Sequence, residues 1–223
     1  MDLHLIRHGQ SEWHLENRYA GHTEIALTEI GKRQSQDLAM WAGSMQFCAL
    51  FSSNAIRARQ TIKPLTEQCK LSAEEDERLK EVNFGLIEGL NPEEMRTRYP
   101  RIYSSFLEKP ADTVMPKGES GKMALERAWS AVCEIVQQHE SGNVLVVTHG
   151  TLMRLIACRF LGINLNEYRR VFPMVPNTGR MLFRINGKLG LKAKEKPTVS
   201  LIKFDEPGNL ALNKVTSITN SKQ

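Results

Sequence analysis

The sequence predicts an α/β fold, a three-layer sandwich with helices on both faces of a mostly parallel central sheet. Two observations lead to this prediction. Strand patterns and helix patterns alternate along most of the 223 residues, as in sheets built from strand–helix–strand units. The run Val144–Val147 is apolar, unalternating and rich in β-branched residues, which is typical of a central strand buried on both faces.

The first strand–helix unit lies at the N-terminus. Leu3–Ile6 is a short apolar run and predicts a buried strand that ends at Arg7. Thr28 is a suitable N-cap for a helix that reaches Trp41, and Gly43 is a suitable stop.

A second unit begins with the predicted strand Ala49–Phe51. Asn54 is expected to cap the helix that carries Arg57 and Thr61. Because proline removes a backbone donor and clashes with the preceding turn, Pro64 should kink this helix or end it early.

The middle of the chain predicts an insertion. Asn91 followed by Pro92 and two acidic residues indicates a helix start. Residues 99–119 hold three prolines and are predicted to be loop-like, so we expect residues 91–117 to form a helical lid at the pocket mouth. A further helix is predicted from Ser120 to about His139.

The C-terminal part predicts one more unit and a hairpin. After the strand Val144–Val147, a helix is expected over Thr151–Leu161, closing at Gly162. Asn186-Gly187 is a two-residue hairpin signal. The late segment is predicted as an antiparallel hairpin region over residues 184–215, with strands at Val199–Phe204 and Leu210–Val215. We expect a single domain over 1–223, with the last residues disordered.

Composition excludes several classes of function. The chain is 41% hydrophobic and 25% charged, and no apolar run approaches the roughly 20 residues that span a bilayer. Residues 184–223 carry eight Lys or Arg and three Asp or Glu, so they account for the whole net charge of +5. Because this basic segment is not a stripe interleaved with aromatics, we do not expect nucleic acid as a partner, and the lack of a bilayer-length apolar run argues against a membrane.

The cysteines and the N-terminus favour a cytoplasmic protein. The four cysteines form no Cys-x-x-Cys pair and have no zinc-ligand spacing with a histidine. The first residues do not resemble a signal peptide, so reduced, unpaired thiols are expected. The oligomeric state is left open, with a homodimer as one option.

Two histidines share one local context. His8 follows the first predicted strand, His149 follows the strand at Val144–Val147, and a glycine succeeds each histidine. In parallel sheets, ligands bind beyond the carboxyl ends of the strands, so neighbouring strands would bring both imidazoles to one crevice. The glycines would let the backbone approach a bound group.

Six ordered blocks around these histidines resemble the histidine phosphatase superfamily, which includes the cofactor-dependent phosphoglycerate mutases. Each block is weak alone, but together they span residues 3 to about 160 in the family's order. The blocks are Leu5-Ile6-Arg7-His8-Gly9-Gln10-Ser11, Gly21-His22-Thr23-Glu24, Ser52 to Thr61 with Arg57, Leu79-Lys80-Glu81 with Phe84-Gly85 and Glu88-Gly89, Gly118-Glu119-Ser120 with Arg127, and Val147-Thr148-His149-Gly150.

The resemblance implies a reaction and its residues. It implies that His8 attacks the phosphorus of a small phosphate ester and that Glu81 protonates the leaving group and later activates water. Arginines suit the phosphate dianion because they stay charged and bind oxygens in pairs. The expected catalytic residues are His8, Glu81, Arg7, Arg57 and His149, and the expected substrate-binding residues are Arg7, His14, Asn17, Gly21, Arg57, His149 and Gly150.

Two departures from the family pattern refine this expectation. His14 stands where much of the family has asparagine, and Val82 stands where mutases place an arginine for the substrate carboxylate. The second departure favours a phosphatase over a mutase. The alternatives left open are a mutase-type isomerase and a phosphoprotein phosphatase or regulatory binding protein.

Other polar residues are expected to have lesser roles. Arg59 lies two residues after Arg57 and should face away from the pocket as a surface charge. His4, His22 and His139 are expected to be structural, and no metal or cofactor is expected. Five residues of the predicted lid are candidates for setting substrate choice: Tyr99, Arg101, Tyr103, Phe106 and Lys109.

Overall fold

The computed structural model describes residues 1–187, 189 and 197–205, and a six-stranded sheet forms the centre of this part. The strands lie in the order β3-β2-β4-β1-β5-β6. The first four are parallel, whereas β5 is antiparallel to β1 and β6 is antiparallel to β5. Their bounds are β1 Asp2–Arg7, β2 Phe47–Ser52, β3 Ala73–Glu75, β4 Asn143–Thr148, β5 Arg180–Asn186 and β6 Thr198–Asp205.

Helices cover both faces of the sheet, which confirms the predicted three-layer sandwich. Because side chains alternate across a strand, Val144 and Val146 of β4 pack with α5 and α6, whereas Leu145 and Val147 pack with α1 and α2. No helix of the described residues is long and apolar enough to cross a membrane. The helices are α1 Glu29–Gly43, α2 Ile56–Cys69, α3 Pro92–Arg98, α4 Pro100–Glu108, α5 Gly121–Gln138, α6 Gly150–Leu161 and α7 Tyr168–Val171.

Most predicted helix ends are confirmed by their caps. Thr28 accepts a hydrogen bond from the Gly31 backbone N–H at the start of α1, and Ser120 does the same for α5. Asn91 and Glu94 form a capping box at α3. Gly162 ends α6 with a φ of 68°, a left-handed conformation that glycine adopts without strain.

One prediction about the second helix is wrong, and of the two outcomes expected of Pro64 the early end is excluded. Ala55, not Asn54, is the residue that precedes α2, and no side chain caps this helix. Pro64 does not end α2, which continues to Cys69. Because Pro64 has no backbone N–H, the Gln60 carbonyl lacks its usual partner within the helix. The Ser35 hydroxyl donates to this carbonyl at 3.4 Å.

The predicted loop at residues 99–119 is also partly wrong. Pro100 begins α4. Proline is tolerated at the first helical position because the backbone N–H that it lacks would have no partner within the helix there. The aromatic side chain of Phe106 on this helix is buried and packs against Tyr19 and Phe84. Whether residues 91–117 act as a lid stays a prediction.

The late antiparallel hairpin is confirmed, with a longer connection than predicted. Asn186 at the end of β5 pairs with Thr198 at the start of β6, so the predicted two-residue turn at Asn186-Gly187 is wrong. The predicted strand Val199–Phe204 lies within β6. The predicted strand Leu210–Val215 and the predicted disorder of the last residues lie outside the described residues.

The pairing of β1 with β4 positions the two histidines. These parallel strands are in register, with Arg7 opposite Thr148. The His8 backbone N–H donates to the Thr148 carbonyl at 3.0 Å. His8 and His149 therefore leave the sheet side by side, and their ring centroids are 5.1 Å apart.

Candidate active site

His8 is held as a neutral imidazole with one nitrogen available. Its Nδ1 lies 2.7 Å from the Gly9 carbonyl, which can only accept, so Nδ1 carries the proton and Nε2 carries a lone pair. Burial, followed by the charges of Arg57 and Arg7, holds the pKa of His8 well below its ordinary 6.5. No described residue hydrogen-bonds Nε2. This is the protonation state that a nucleophile requires.

His149 lies beside His8 at the N-terminus of α6. Its Nε2 is 2.8 Å from the Ser53 hydroxyl oxygen, which also accepts from the Ala55 backbone N–H at 3.3 Å. The Ser53 proton is thus free to point at Nε2, which favours the tautomer with the proton on Nδ1. Burial, then the charge of Arg57, holds the pKa of His149 well below 6.5.

Arg57 is fully buried in the first turn of α2. Its Nη2 donates to the Gly21 carbonyl at 2.6 Å and its Nη1 donates to the Thr23 carbonyl at 3.0 Å. Burial lowers the pKa of Arg57 from its usual value. Gly21, expected to bind substrate, contributes a backbone carbonyl that fixes this guanidinium.

Arg7 ends β1 and faces the same space. Its Nη1 donates to the Val175 carbonyl at 2.5 Å, and Nη2 contacts Nε2 of His14. Burial lowers the pKa of Arg7 to about 10, well above neutral pH. A Cβ on Gly150 would lie 3.1 Å from Arg7 Nε, so this glycine gives the guanidinium room.

Three buried nitrogen atoms at this site have no hydrogen-bond partner. They are Arg7 Nε, Arg57 Nε and His149 Nδ1. Buried polar atoms are nearly always paired, so three unpaired ones beside His8 indicate a site for an acceptor-rich group. With the proton of His149 on Nδ1, all three are donors, which suits an anion such as phosphate.

Glu81 lies at the edge of this site, at the start of α6. Its carboxylate accepts hydrogen bonds from the backbone N–H groups of Val82, Thr151 and Leu152 at 2.9–3.0 Å. Its main-chain carbonyl accepts from Arg127 Nη2 at 2.6 Å. Both the side chain and the backbone of Glu81 are therefore fixed in position.

An open cleft of about 190 Å³ is lined by Glu81 and Arg7. Its position beside Arg7 and Glu81 makes it the space next to the anion site. The lining residues come from β1, the Glu81 segment, α6 and the loop after α7: Arg7, Glu81, Gly150, Thr151, Arg154, Pro173, Met174 and Val175.

The two remaining predicted binding residues differ in placement. His14 joins the site: its ring is 5.4 Å from that of His8, and its Nδ1 accepts from the Ser11 backbone N–H at 2.9 Å. Burial, then the charge of Arg7, lowers the pKa of His14 to about 3, so it is neutral at pH 7. Asn17 is exposed with a φ of 52°, and its side chain has no hydrogen bond to another described residue.

The residues assigned lesser roles lie mostly outside the site. Arg59 is half-exposed and lies 3.8 Å from Glu75, as expected of a surface charge. His22 is closer than expected, because its Nε2 contacts the Glu81 carbonyl oxygen at 3.0 Å. Among the described residues, no group of three or more His, Cys, Asp or Glu side chains could hold a metal ion.

Sequence reasoning missed the loop of residues 173–179. Besides the Val175 carbonyl, Thr178 donates its backbone N–H to the Arg7 carbonyl at 3.1 Å. The side-chain amide of Asn177 donates to the His8 carbonyl at 3.3 Å. Most of these contacts use main-chain atoms, which no residue type reveals. Ser53 was also missed as a site residue, although its place directly after β2 was a signal.

Comparisons with known proteins agree on one family. The family model described as histidine phosphatase superfamily (branch 1) matches residues 3–191. Phosphoserine phosphatase 1 of Hydrogenobacter thermophilus is 30% identical over 74% of this chain and 79% of its own length. The 2,3-bisphosphoglycerate-dependent phosphoglycerate mutase 2 of Gloeobacter violaceus is 34% identical over 69% of this chain and 73% of its own length. The solved structure of Bacillus stearothermophilus YhfR has a TM-score of 0.79 at 27% identity, covering 86% and 96% of the two chains.

Proposed function

Since this chain belongs to the histidine phosphatase superfamily (branch 1), we propose that it hydrolyses a small phosphomonoester through a phosphohistidine on His8. One observation carries the proposal. Three buried donors without partners, on Arg7, Arg57 and His149, surround a neutral imidazole whose Nε2 is free. A phosphoryl group offers these donors its oxygens and offers Nε2 its phosphorus.

The first half of the reaction transfers the phosphoryl group. Nε2 of His8 forms a bond to phosphorus while the ester P–O bond breaks. The departing alkoxide takes a proton from Glu81, which lies where the anion site meets the cleft. Arg7 and Arg57 bind the phosphoryl oxygens and stabilise the negative charge as it redistributes among these oxygens.

The second half releases phosphate. Glu81, now ionised, takes a proton from a water molecule whose oxygen attacks phosphorus. The P–N bond breaks, inorganic phosphate leaves, and His8 and Glu81 return to their starting states. The arginines supply the positive charge for both halves, so the proposed reaction uses no metal ion.

A phosphoglycerate mutase is the alternative within the same family, and one similar protein bears that name. A mutase must retain the dephosphorylated acid for the return transfer. In the mutases, an arginine directly follows the catalytic glutamate and meets the substrate carboxylate. Here that position is Val82, which is buried in the core and offers no charge to a carboxylate. This favours transfer to water. A regulatory binding protein is less well supported, because all five expected catalytic residues are present.

The proposal is tested with a generic aryl phosphate and a trapping experiment. The wild-type chain should release phosphate, and His8→Ala should reduce release to the background rate. Quenching in alkali, in which phosphohistidine survives, should recover labelled phosphate on wild-type protein and none on the variant. The matched control is His139→Ala, which removes a ring that meets Phe51 edge to face and makes no contact with the five expected catalytic residues among those described. Substantial turnover by His8→Ala would refute the nucleophile.

A further inference from the structure

Glu88 is a partly buried carboxylate on which four hydrogen-bond donors of the described chain converge. Its Oε1 accepts from the backbone N–H of His22 at 2.8 Å and from that of Phe84 at 3.1 Å. Its Oε2 accepts from the backbone N–H of Thr23 at 2.7 Å and from the hydroxyl of the same residue. Because every one of these groups donates, the position requires an acceptor at both oxygens.

The peptide group between Gly21 and His22 connects Glu88 with Arg57. Its N–H, from His22, donates to Glu88 Oε1, and its C=O, from Gly21, accepts from Arg57 Nη2 at 2.6 Å. The N–H and C=O of a trans peptide point in opposite directions, so one rigid group bridges the carboxylate and the guanidinium. Hydrogen bonds in such a chain polarise one another, so each of the two strengthens the other.

Thr23 forms a second link between the same two side chains. Its backbone N–H and its hydroxyl donate to Glu88, and its carbonyl accepts from Arg57 Nη1 at 3.0 Å. Both hydrogen bonds that the Arg57 side chain makes with described residues therefore end on carbonyls of residues 21–23. This is the segment that Glu88 holds.

The hold on Arg57 determines where its remaining donor points. Arg57 Nε is buried without a partner beside His8, and we propose above that it meets a phosphoryl oxygen. A guanidinium is planar, so the directions of the two Nη bonds also fix the direction of the Nε–H bond. A shift of residues 21–23 would therefore turn this donor away from the anion site.

Glu24 shows what is particular about Glu88. Burial lowers the pKa of Arg57, and three carboxylates oppose this effect, those of Glu81, Glu24 and Glu88. Charge alone thus does not distinguish Glu88 from Glu24. The backbone contacts do, because the Glu24 carboxylate accepts from the Ile56 N–H at 2.7 Å and holds neither of the carbonyls that bind Arg57.

We propose that Glu88 is a positioning residue, which sets the orientation of Arg57 through the backbone of residues 21–23. The inference rests on the proposed function and adds to it a residue that acts on the anion site from outside. A carboxylate is required in this role, because a carboxamide would present an NH₂ group to donors that need an acceptor.

The test measures the affinity for inorganic phosphate, which probes the anion site directly, by calorimetry. Glu88→Gln should weaken binding by about tenfold or more, the effect of one charged hydrogen bond. The matched control is Glu24→Gln, which removes a charge that also acts on Arg57 but leaves an oxygen for the Ile56 N–H. This exposed control should change the affinity by about twofold or less. Equal losses in the two variants would mean that charge alone matters and would overturn the positioning role.

A double-mutant cycle with Arg57→Lys separates positioning from general destabilisation. Lysine keeps the positive charge, but its ammonium has no planar fork whose direction could be lost. In the Arg57→Lys background, Glu88→Gln should therefore weaken phosphate binding by about twofold or less. A loss as large as in the wild-type background would overturn the inference. Urea unfolding checks that each variant is folded. If Glu88→Gln is not, Glu88→Asp takes its place, because its shorter side chain cannot reach all four donors.

The binding measurement also separates this inference from the proposed function. Phosphate affinity needs no turnover, so a loss that depends on both Glu88 and Arg57 supports the inference even if no ester is hydrolysed. Hydrolysis that depends on His8, with unchanged phosphate affinity in Glu88→Gln, leaves the proposed function standing and removes the role of Glu88. A wild-type chain that binds no phosphate would refute both.

Discussion

The hydroxyl oxygen of Ser53 lies 2.8 Å from Nε2 of His149, and both residues are fully buried. The opposite nitrogen of the same ring, Nδ1, has no partner and faces the site where we propose that phosphate binds. Because only one nitrogen of a neutral imidazole carries a proton, Ser53 decides whether Nδ1 can donate to a phosphoryl oxygen.

Ser53→Ala should lower kcat/KM for an aryl phosphate by about tenfold, the effect of one lost hydrogen bond. Ser53→Thr, which keeps the hydroxyl, should restore most of the rate. Ser52→Ala is the matched control, because the neighbouring Ser52 hydroxyl is buried and has no partner among the described residues. Equal losses in Ser52→Ala and Ser53→Ala would contradict the tautomer role.

Glu81→Gln should affect poor leaving groups far more than good ones. We expect a loss of about 100-fold or more in kcat for an alkyl phosphate and only a small loss for 4-nitrophenyl phosphate, which leaves without protonation. Glu126→Gln, on the exposed face of α5, serves as the control. If both substrates slowed equally, Glu81 would not be the general acid.

Gly21→Ala should destabilise the fold and weaken the support of Arg57. A Cβ at Gly21 would lie 1.9 Å from Glu88 Oε1, on a backbone with a φ of +43°. Gly162→Ala is the control, since Gly162 also has positive φ but nothing lies within 4 Å of its added Cβ. The left-handed backbone alone costs about 1–2 kcal/mol, so urea unfolding should show a larger loss for Gly21→Ala. Similar losses would mean that Glu88 moves aside freely.

Stability should decrease as the pH falls below about 6.5, the ordinary pKa of histidine. The pKa of His14 is about 3 in the folded protein, so between pH 6.5 and pH 3 the unfolded chain binds a proton that the folded chain does not. The free energy of unfolding should therefore rise with pH in this window. His14→Asn should reduce the slope between pH 6.5 and pH 5 by up to about 1.4 kcal/mol per pH unit. An unchanged slope would mean that His14 titrates normally.

Phosphate release should persist in the presence of EDTA. In the proposed reaction the guanidinium groups of Arg7 and Arg57 supply the positive charge that a metal ion would otherwise bring. The measurement is the rate of aryl phosphate hydrolysis before and after dialysis against EDTA. A loss of activity that added divalent metal restores would refute the metal-free reaction.

The sequence predicted the strands β1, β2 and β4 and the closeness of His8 to His149, because both depend on where apolar runs end. A buried apolar run that stops at a polar residue and a glycine marks a strand end, and this pattern located His8 and His149. The supports of the site were not predictable in this way. Arg7 and Arg57 are fixed by the carbonyls of Val175, Gly21 and Thr23, and any residue type has a carbonyl. Helix α4 was missed because Pro100 was interpreted as a loop residue.

The carbonyls that fix Arg57 hold it in place before any ligand arrives. A pocket assembled in advance does not distinguish an ester's phosphoryl group from the free inorganic ion, because both present the same oxygens. The reaction product should therefore compete with incoming substrate, so inorganic phosphate in the surrounding solution should raise the apparent KM and slow turnover when substrate is scarce.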